Sequence, residues 1–194
     1  EGTLAFVRER GTSEETRTVD LAALTESLCE DLVELGQTVS FAETPRISYR
    51  CRPDALRRAI RNLVENAVRY GGCARVHMER SADLVTIVVE DDGPGIPEAV
   101  REQVFAPFFR LEHSRNRETG GMGLGLAIAR TIARHHGGDV TLENTGSGLR
   151  ATVSLPTLDG ELCAIAGQQA EKAPARAAAV PAPAFADRLI GTSP

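Results

Sequence analysis

Apolar residues along the chain follow the 3.6-residue period of an α-helix in three long stretches. The first begins after Asp20, a predicted N-cap, repeats leucine at positions 21, 24, 28, 32 and 35, and stops at Gly36. The second, RPDALRRAIRNLVENAVRYGG, covers residues 52–72 and ends in a glycine pair. The third, GLGLAIARTIARHHGG, covers residues 123–138, and a shorter helix is predicted in PEAVREQVFAPF, residues 97–108. The polar, glycine-bearing segment 109–123 has no period, which predicts a mobile loop.

Alternating and β-branched runs predict the strands. QTVSFAE (37–43) and RISYRC (46–51) alternate, and we expect a strand pair that turns at Thr44-Pro45. ARVHMER (74–80) is another strand, and LVTIVVEDDG (84–93) is rich enough in β-branched residues to predict a central strand buried on both faces. DVTLENTGSGLRATVSLP (139–156) predicts a hairpin that turns at residues 145–148. The order of elements predicts an α/β fold, a two-layer sandwich whose mixed, mostly antiparallel sheet is covered on one face by three long helices.

The composition suits one domain followed by a tail. The chain has 194 residues, of which 42% are apolar, but tryptophan is absent and aromatic residues make up 4%, so the core must be mainly aliphatic. From about Leu158 the sequence becomes rich in alanine and proline, which predicts a disordered tail over residues 158–194.

Charge and cysteine usage argue against several classes of function. A net charge of −5 argues against a nucleic-acid binder that works through a basic surface. Lys172 is the only lysine, which argues against any mechanism that needs a P-loop lysine. The four cysteines form no CxxC pair, so a metal site or a disulfide framework is not indicated, and a reducing, cytosolic compartment is favoured. No signal peptide is visible, and no apolar run approaches the roughly 18–20 residues of a membrane span.

The second long helix carries polar residues beside its apolar stripe. At 100° per residue, four of them fall together at one edge of that stripe, where they can reach a pocket: Asn62, Asn66, Arg69 and Tyr70. Taken alone, the two asparagines are better explained as surface residues. Glu65 points elsewhere and lies four residues from both Arg61 and Arg69, which predicts a solvated salt bridge.

A buried strand runs into carboxylates and glycines in VVEDDGPGIPE, residues 88–98. A carboxylate at the end of a strand can accept the amino protons of adenine, whereas guanine presents a carbonyl group that the carboxylate would repel. Gly93 and Gly95 would let the backbone approach a ligand closely. The alternative is an ordinary turn that ends the strand.

Two further motifs follow along the chain. In GGMGLGLAIAR (120–130) clustered glycines open directly into a helix, and free N–H groups at a helix start bind phosphate. The motif is neither a P-loop, because no Lys-Ser/Thr follows, nor a Rossmann turn. In FAPFFR (105–110) three phenylalanines precede the glycine-bearing loop, so they could anchor a lid with Arg110 pointing at a phosphate, or they could simply pack together.

The order and combination of these four motifs resembles the nucleotide-binding catalytic domain of bacterial sensor histidine kinases, with its N, G1, F and G2 boxes. The resemblance covers roughly residues 19–156, and NLVENAVRYG and GPGIPEAVREQVFAPFFR look especially like osmosensor-type receptors. It implies the Bergerat-type sandwich shared with DNA gyrase, Hsp90 and MutL. It also implies three segments: the end of an upstream dimerisation helix and linker (1–16), an ATP-binding catalytic domain (17–157) and the tail (158–194).

The resemblance also implies roles for individual residues. Asp91 would take the adenine amino group with Gly95 beside it, and Asn66 would offer its amide oxygen to Mg²⁺. Residues 107–121 would form the lid over ATP. The implied catalytic residues are Asn62, Arg69 and Arg110. The implied nucleotide-binding set is Asn62, Asn66, Arg69, Tyr70, Asp91, Gly93, Gly95, Ile96, Phe108, Gly121, Gly123, Leu124, Gly125 and Leu126.

The implied activity is transfer of the γ-phosphoryl group of Mg-ATP to a histidine, for relay to an aspartate of a response regulator. Hydrolytic relatives have a water-activating glutamate at the position of Asn62, and an amide cannot act as that base. The chain's own histidines (77, 113, 135 and 136) lack the acceptor context, so the acceptor is expected on an upstream dimerisation domain. The expected location is cytoplasmic, as part of an inner-membrane receptor.

Three other functions share this fold. A serine kinase of the anti-sigma-factor type generally lacks the phenylalanine box, so Phe105, Phe108 and Phe109 argue against it. A hydrolytic ATPase is disfavoured by Asn62. A degenerate nucleotide-binding scaffold is disfavoured because all four boxes are present.

Overall fold

The computed structural model of the chain describes residues 14–111 and 122–157, and these form seven strands and three α-helices. The strands are β1 (Arg17–Asp20), β2 (Val39–Phe41), β3 (Ser48–Cys51), β4 (Ala74–Arg80), β5 (Leu84–Glu90), β6 (Asp139–Asn144) and β7 (Leu149–Pro156). The helices are α1 (Leu21–Glu34), α2 (Pro53–Gly71) and α3 (Gly125–His135). The predicted tail and most of the predicted upstream segment lie outside the described residues.

Five strands form the main sheet in the order β2-β4-β5-β7-β6. β2 runs parallel to β4, and every other neighbouring pair in this sheet is antiparallel. The mixed, mostly antiparallel sheet is therefore confirmed, and β5 is its central strand as predicted. β1 and β3 form a separate two-stranded antiparallel sheet.

Two predictions of local structure are wrong. β2 and β3 do not pair through a turn at Thr44-Pro45, because β2 joins β4 and β3 joins β1. Alternation identifies a strand but carries no information on its partner, and the four-residue β1 is too short and too exposed to be predicted. Residues 97–108 form two 3₁₀ turns, Glu98–Val100 and Gln103–Phe105, instead of a helix. Ala106 is extended at ψ 135°, which is the conformation that a following proline favours.

The three helices cover one face of the sheet and close an aliphatic core. α2 buries an apolar stripe that ends in Leu63, Val64 and Ala67, and β5 presents alternate residues, Ile87 and Val89 among them, towards the helices. Burial of aliphatic side chains at about 25 cal/mol per Å² is the main force that stabilises such a layer packing.

Helix α2 carries the predicted polar residues, and its first turn is capped by distant residues. The side chain of Arg52, the N-cap residue, does not cap the helix. Instead, the carboxylate of Glu14 accepts the N–H groups of Asp54 at 2.6 Å and Ala55 at 3.0 Å. At the other end Gly72, with a φ of 77°, stops the helix. Both ends of α2 are therefore fixed, which also sets the position of its middle residues relative to the sheet.

No helix within residues 14–111 and 122–157 combines the length and the apolar character needed to cross a bilayer.

His136 connects the end of α3 to the start of α2. The ring is 5% exposed; its Nδ1 lies 2.8 Å from the Ile132 carbonyl, and its Nε2 accepts the Arg52 N–H at 3.2 Å. A carbonyl group can only accept, so Nδ1 carries the proton and the ring is neutral. Burial lowers the pKa of His136 below its ordinary value.

This lowered pKa predicts a loss of stability in mild acid. As the pH falls through about 6.5, His136 of the unfolded chain takes up a proton before that of the folded chain does, so the free energy of unfolding decreases. His136→Leu should be about 1–3 kcal/mol less stable at pH 7.5, since two hydrogen bonds are lost. It should also lose less stability than the wild type between pH 7.5 and 5. Urea denaturation at several pH values measures both effects, and an unchanged pH dependence in the variant would contradict the assignment.

Candidate functional site

The two asparagines of α2 face the start of α3. A methyl group placed on Gly125, the first residue of α3, would lie 3.4 Å from Nδ2 of Asn66 and 3.5 Å from Oδ1 of Asn62. The structure thus brings together the predicted polar edge of α2 and the predicted glycine-rich helix start.

Nδ2 of Asn62 is buried and has no hydrogen-bond partner within residues 14–111 and 122–157. An unsatisfied buried amide N–H is unfavourable by about 1–3 kcal/mol. An acceptor oxygen of a ligand would satisfy it, so the site fits an anionic group such as a phosphate.

The first turn of α3 supports the same interpretation. Its N-cap, Leu124, makes no side-chain cap, and the turn contains no carboxylate. The N–H groups at the start of the helix are therefore uncapped by side chains of the described chain, and the positive end of the helix dipole faces Asn62 and Asn66. Leu126 follows in the same turn and is partly buried against the core.

The other polar residues of α2 lie nearer to its C-terminus or point away. Arg69 and Tyr70 are exposed in the last two turns. Glu65 is bonded to Arg61 at 2.8 Å, which confirms the predicted salt bridge on this side. Since that carboxylate is engaged, it is not directed at the start of α3.

Asp91 follows β5 directly and is 5% exposed. Its Oδ1 accepts the N–H groups of Gly93 at 2.8 Å and Leu149 at 3.2 Å. Its Oδ2 has no hydrogen-bond partner in the part of the chain that the structure describes. One oxygen is therefore held by the protein and the other remains available to a donor on a ligand.

The neighbouring carboxylate is engaged elsewhere. Arg75 binds both oxygens of Asp92, at 2.8 and 2.9 Å, and these hydrogen bonds lower the pKa of Asp92 to about 2. Of the two aspartates in the motif, the structure thus leaves Asp91 for a ligand.

Three glycines let the chain close around Asp91. A methyl group on Gly71 would lie 2.5 Å from Cβ of Asp91, one on Gly148 would lie 1.9 Å from its carbonyl oxygen, and one on Gly93 would lie 3.0 Å from its Oδ1. Gly71 and Gly148 were not predicted as site residues, because their positions at a helix end and in a turn explain glycine there. The signal for Gly71 was the glycine pair, because Gly72 alone is sufficient to end the helix.

Gly95 and Ile96 form the next part of the loop after β5. Gly95 has a φ of 72°, which favours glycine, and Ile96 is 7% exposed. The side chain of Asn144, at the end of β6, forms hydrogen bonds with the backbone of Ile96. Asn144 was not predicted as a site residue either, because no local sequence pattern links it to Ile96, 48 positions away in the chain.

The phenylalanine motif is divided between core and surface. Phe105 is buried under the guanidinium of Arg130, whose central carbon lies 4.2 Å from the ring centre, and Phe109 packs against the core. Phe108 is 58% exposed and has a φ of 65°. Its N–H donates to the Gly123 carbonyl at 2.9 Å. The two described ends of the predicted lid therefore meet, while Gly121 and residues 112–120 lie outside the described residues.

Arg130 holds the phenylalanine segment against α3 and β6. Its guanidinium donates to Glu102 at 2.6 Å and to both oxygens of Asp139, at 2.8 and 3.1 Å. Arg110 lies half-buried just beyond this segment. Through Arg130, Glu102 is thereby connected to helix α3, which begins at Gly125.

Within the described residues no group of three or more His, Cys, Asp or Glu side chains could hold a metal ion. The amide of Asn66, whose Nδ2 faces Gly125, also carries an oxygen of the kind that Mg²⁺ prefers as a ligand.

The fold and the site together define a nucleotide-binding domain of the two-layer ATPase type. A family model described as histidine kinase-, DNA gyrase B-, and HSP90-like ATPase matches residues 51–159, more than half of the chain. The chain belongs to this family.

Curated relatives are sensor kinases. Sensor histidine kinase GtrS of Pseudomonas aeruginosa is 41% identical over 160 residues, which cover 81% of this chain and 32% of GtrS. Sensor histidine kinase CpxA of Escherichia coli K12 is 44% identical over 121 residues, which cover 61% of this chain and 26% of CpxA. The chain thus spans about a third or less of the length of these relatives.

Solved structures agree with the fold. The ATP binding domain of PrrB from Mycobacterium tuberculosis matches with a TM-score of 0.62 at 29% identity, over 75% of this chain and 99% of that domain. The catalytic domain of histidine kinase ThkA matches with a TM-score of 0.63 at 26% identity, over 74% of this chain and 98% of that domain.

The close approach of Gly71 to Asp91 predicts a selective loss of ligand binding. In Gly71→Ala the new methyl group would displace Asp91, an overpacking that destabilises by about 1–3 kcal/mol, partly offset by the better helix propensity of alanine, about 1 kcal/mol. Affinity for ATP should fall about tenfold or more while the fold is retained. Calorimetric titration and thermal unfolding measure the two effects.

Gly146→Ala is the matched control, because a methyl group at Gly146 meets no atom within 4 Å. It should bind ATP like the wild type. Unchanged ATP affinity in Gly71→Ala would show that Asp91 does not depend on this contact.

Proposed function

We propose that this chain is the ATP-binding catalytic domain of a sensor histidine kinase. It binds Mg-ATP and transfers the γ-phosphoryl group to a histidine on a dimerisation domain of the full-length protein. The observation that carries the proposal is the unsatisfied Nδ2 of Asn62, a residue whose side chain lies beside the uncapped start of α3. The names of the relatives GtrS and CpxA, both sensor histidine kinases, support the reaction class.

Adenine binds at Asp91. The available Oδ2 accepts the exocyclic amino group, and Gly93, Gly95 and Ile96 form the adjoining backbone wall. Guanine would place a carbonyl group against the carboxylate, so GTP is a poor ligand.

The phosphates bind at the other end of the site. Asn62 Nδ2 and the first N–H groups of α3 are proposed to donate to phosphate oxygens, with Arg110 nearby. Arg69 and Tyr70, in the last turn of α2, are proposed to reach towards the phosphates from the Asp91 end of that helix. Phe108, Gly123 and Leu124 form the described edge of the lid, which Gly121 is proposed to complete. Asn66 offers its amide oxygen to Mg²⁺, which would neutralise charge on the phosphate oxygens.

Transfer needs positioning and charge stabilisation more than a strong base. A neutral imidazole nitrogen of the acceptor forms a bond to the γ-phosphorus, the bond from that phosphorus to the β,γ-bridging oxygen breaks, and ADP leaves. The amide of Asn62 cannot deprotonate water, and Glu65 is engaged by Arg61, so neither residue supplies a base for hydrolysis. The site therefore favours transfer over hydrolysis.

The acceptor is proposed to lie outside this chain. His136 is buried and bonded on both ring nitrogens, and His77 lies within strand β4. A response regulator then takes the phosphoryl group, and the domain works on the cytoplasmic side of a membrane receptor. Residues 1–16 are proposed as the end of the dimerisation helix and its linker.

The adenine assignment predicts a difference between two adjacent carboxylates. ATP with Mg²⁺ should bind the wild type at least about tenfold more tightly than GTP. Asp91→Asn should weaken ATP binding by roughly 100-fold or more, since a charge-assisted hydrogen bond is lost and a donor faces the amino group. Asp92→Asn, the control, should retain ATP binding because Asp92 faces Arg75. Titration calorimetry measures these affinities. Unaltered ATP binding by Asp91→Asn would overturn the adenine assignment.

The transfer reaction predicts labelling that depends on an added acceptor. With ATP labelled in the γ-phosphate, this chain alone should stay unlabelled, and the dimerisation domain of the full-length protein should be labelled on its histidine when mixed with the chain. Asp91→Asn should abolish that labelling. Steady hydrolysis of ATP that is insensitive to the acceptor would instead indicate a hydrolytic ATPase.

A further inference from the structure

Asn144 closes the loop that carries Gly95 and Ile96. Its Oδ1 accepts the Ile96 N–H at 2.9 Å and its Nδ2 donates to the Ile96 carbonyl at 2.9 Å. The amide thus pairs with Ile96 as a residue of a neighbouring strand would. Only an amide side chain of this length supplies both a donor and an acceptor here.

The same hairpin also holds the other side of the loop. Asn144 in β6 pairs with Leu149 in β7. The backbone of Leu149 makes two hydrogen bonds with Asp91. Its N–H donates to Oδ1 of the Asp91 side chain at 3.2 Å, and its carbonyl accepts the Asp91 N–H at 3.0 Å. The hairpin therefore fixes the distance between Asp91 and Ile96 from outside the loop.

Gly95 and Asn144 are matched to each other. A methyl group on Gly95 would lie 2.6 Å from Oδ1 of Asn144, so the amide lies directly against the Gly95 backbone. Gly95 also has a φ of 72°, which glycine adopts without strain, so both the backbone conformation and the contact with Asn144 favour glycine at this position. Asn144 is itself exposed, so its removal leaves no cavity in the core.

We propose that Asn144 is a positioning residue of the adenine pocket: it holds the Gly95–Ile96 backbone in the conformation that lies against the purine ring beside Asp91. This inference rests on the proposed function, because it requires the nucleotide to bind with adenine at Asp91. Asn144 touches the loop and not the nucleotide.

The test compares Asn144→Ala with Glu143→Ala in the full chain. Glu143 is the exposed neighbour in the same strand, and its carboxylate lies 3.9 Å from the guanidinium of Arg150. Asn144→Ala should weaken binding of ATP and of ADP about tenfold, since two hydrogen bonds that order the wall are lost. Tripolyphosphate, which has no base, should bind both variants like the wild type. Thermal unfolding should change little in either.

A second readout is hydrogen exchange at the Ile96 amide. It should become faster in Asn144→Ala, while the Gly93 amide, which is bonded to Asp91, keeps its protection. Asn144→Asp is the further variant if the alanine variant does not fold. Its carboxylate can accept the Ile96 N–H but repels the carbonyl group, so ATP binding should again weaken.

The outcomes separate the two levels of inference. Wild-type affinity for ATP in the Asn144 variants would overturn the positioning role and leave the proposed function standing. An equal loss of tripolyphosphate binding would also overturn it, because the effect would then not concern the adenine wall. A wild-type chain that binds no ATP would overturn the proposed function and this inference with it.

Discussion

The site depends on one buried carboxylate at the end of the central strand. Asp91 is 5% exposed, and a carboxylate so removed from water is stable only when it is hydrogen-bonded. Two backbone N–H groups bind one of its oxygens, and glycines at positions 71 and 148 allow the helix end and the hairpin turn to approach it. The packing around Asp91 therefore fixes where β5, α2 and the hairpin meet.

Helix α2 relates the two ends of the site. Gly71 lies against Asp91 at the helix end, and Asn62, nine residues earlier, faces Gly125. At 1.5 Å per residue these points are about 14 Å apart along the axis, so base and phosphates can be held at opposite ends of one rigid element. The distant caps from Glu14 and His136 keep the start of this helix in place. A change in the position of α2 would thus move both ends together.

Local signals in the sequence predicted much of the fold and the motifs of the site. Asp20 as an N-cap, Gly72 as a helix end and the hairpin at 145–148 were predictable because each depends on residues close in sequence. The partners of β2 and β3 were not, because strand alternation specifies a face and not a neighbour. Asn144 and Leu149 escaped prediction for the same reason, as they act on residues 48 and 58 positions away.

Electrostatics explains why the two polar positions on α2 carry asparagines and not carboxylates. A triphosphate is strongly anionic, so a carboxylate at position 62 or 66 would repel it unless a cation intervened. An amide carries no net charge and offers a donor for phosphate oxygens as well as an acceptor for a hard cation. An amide at position 62 also cannot act as the base that hydrolysis needs. Two amides beside the uncapped, carboxylate-free start of α3 therefore suit the proposed role of binding a triphosphate without activating water.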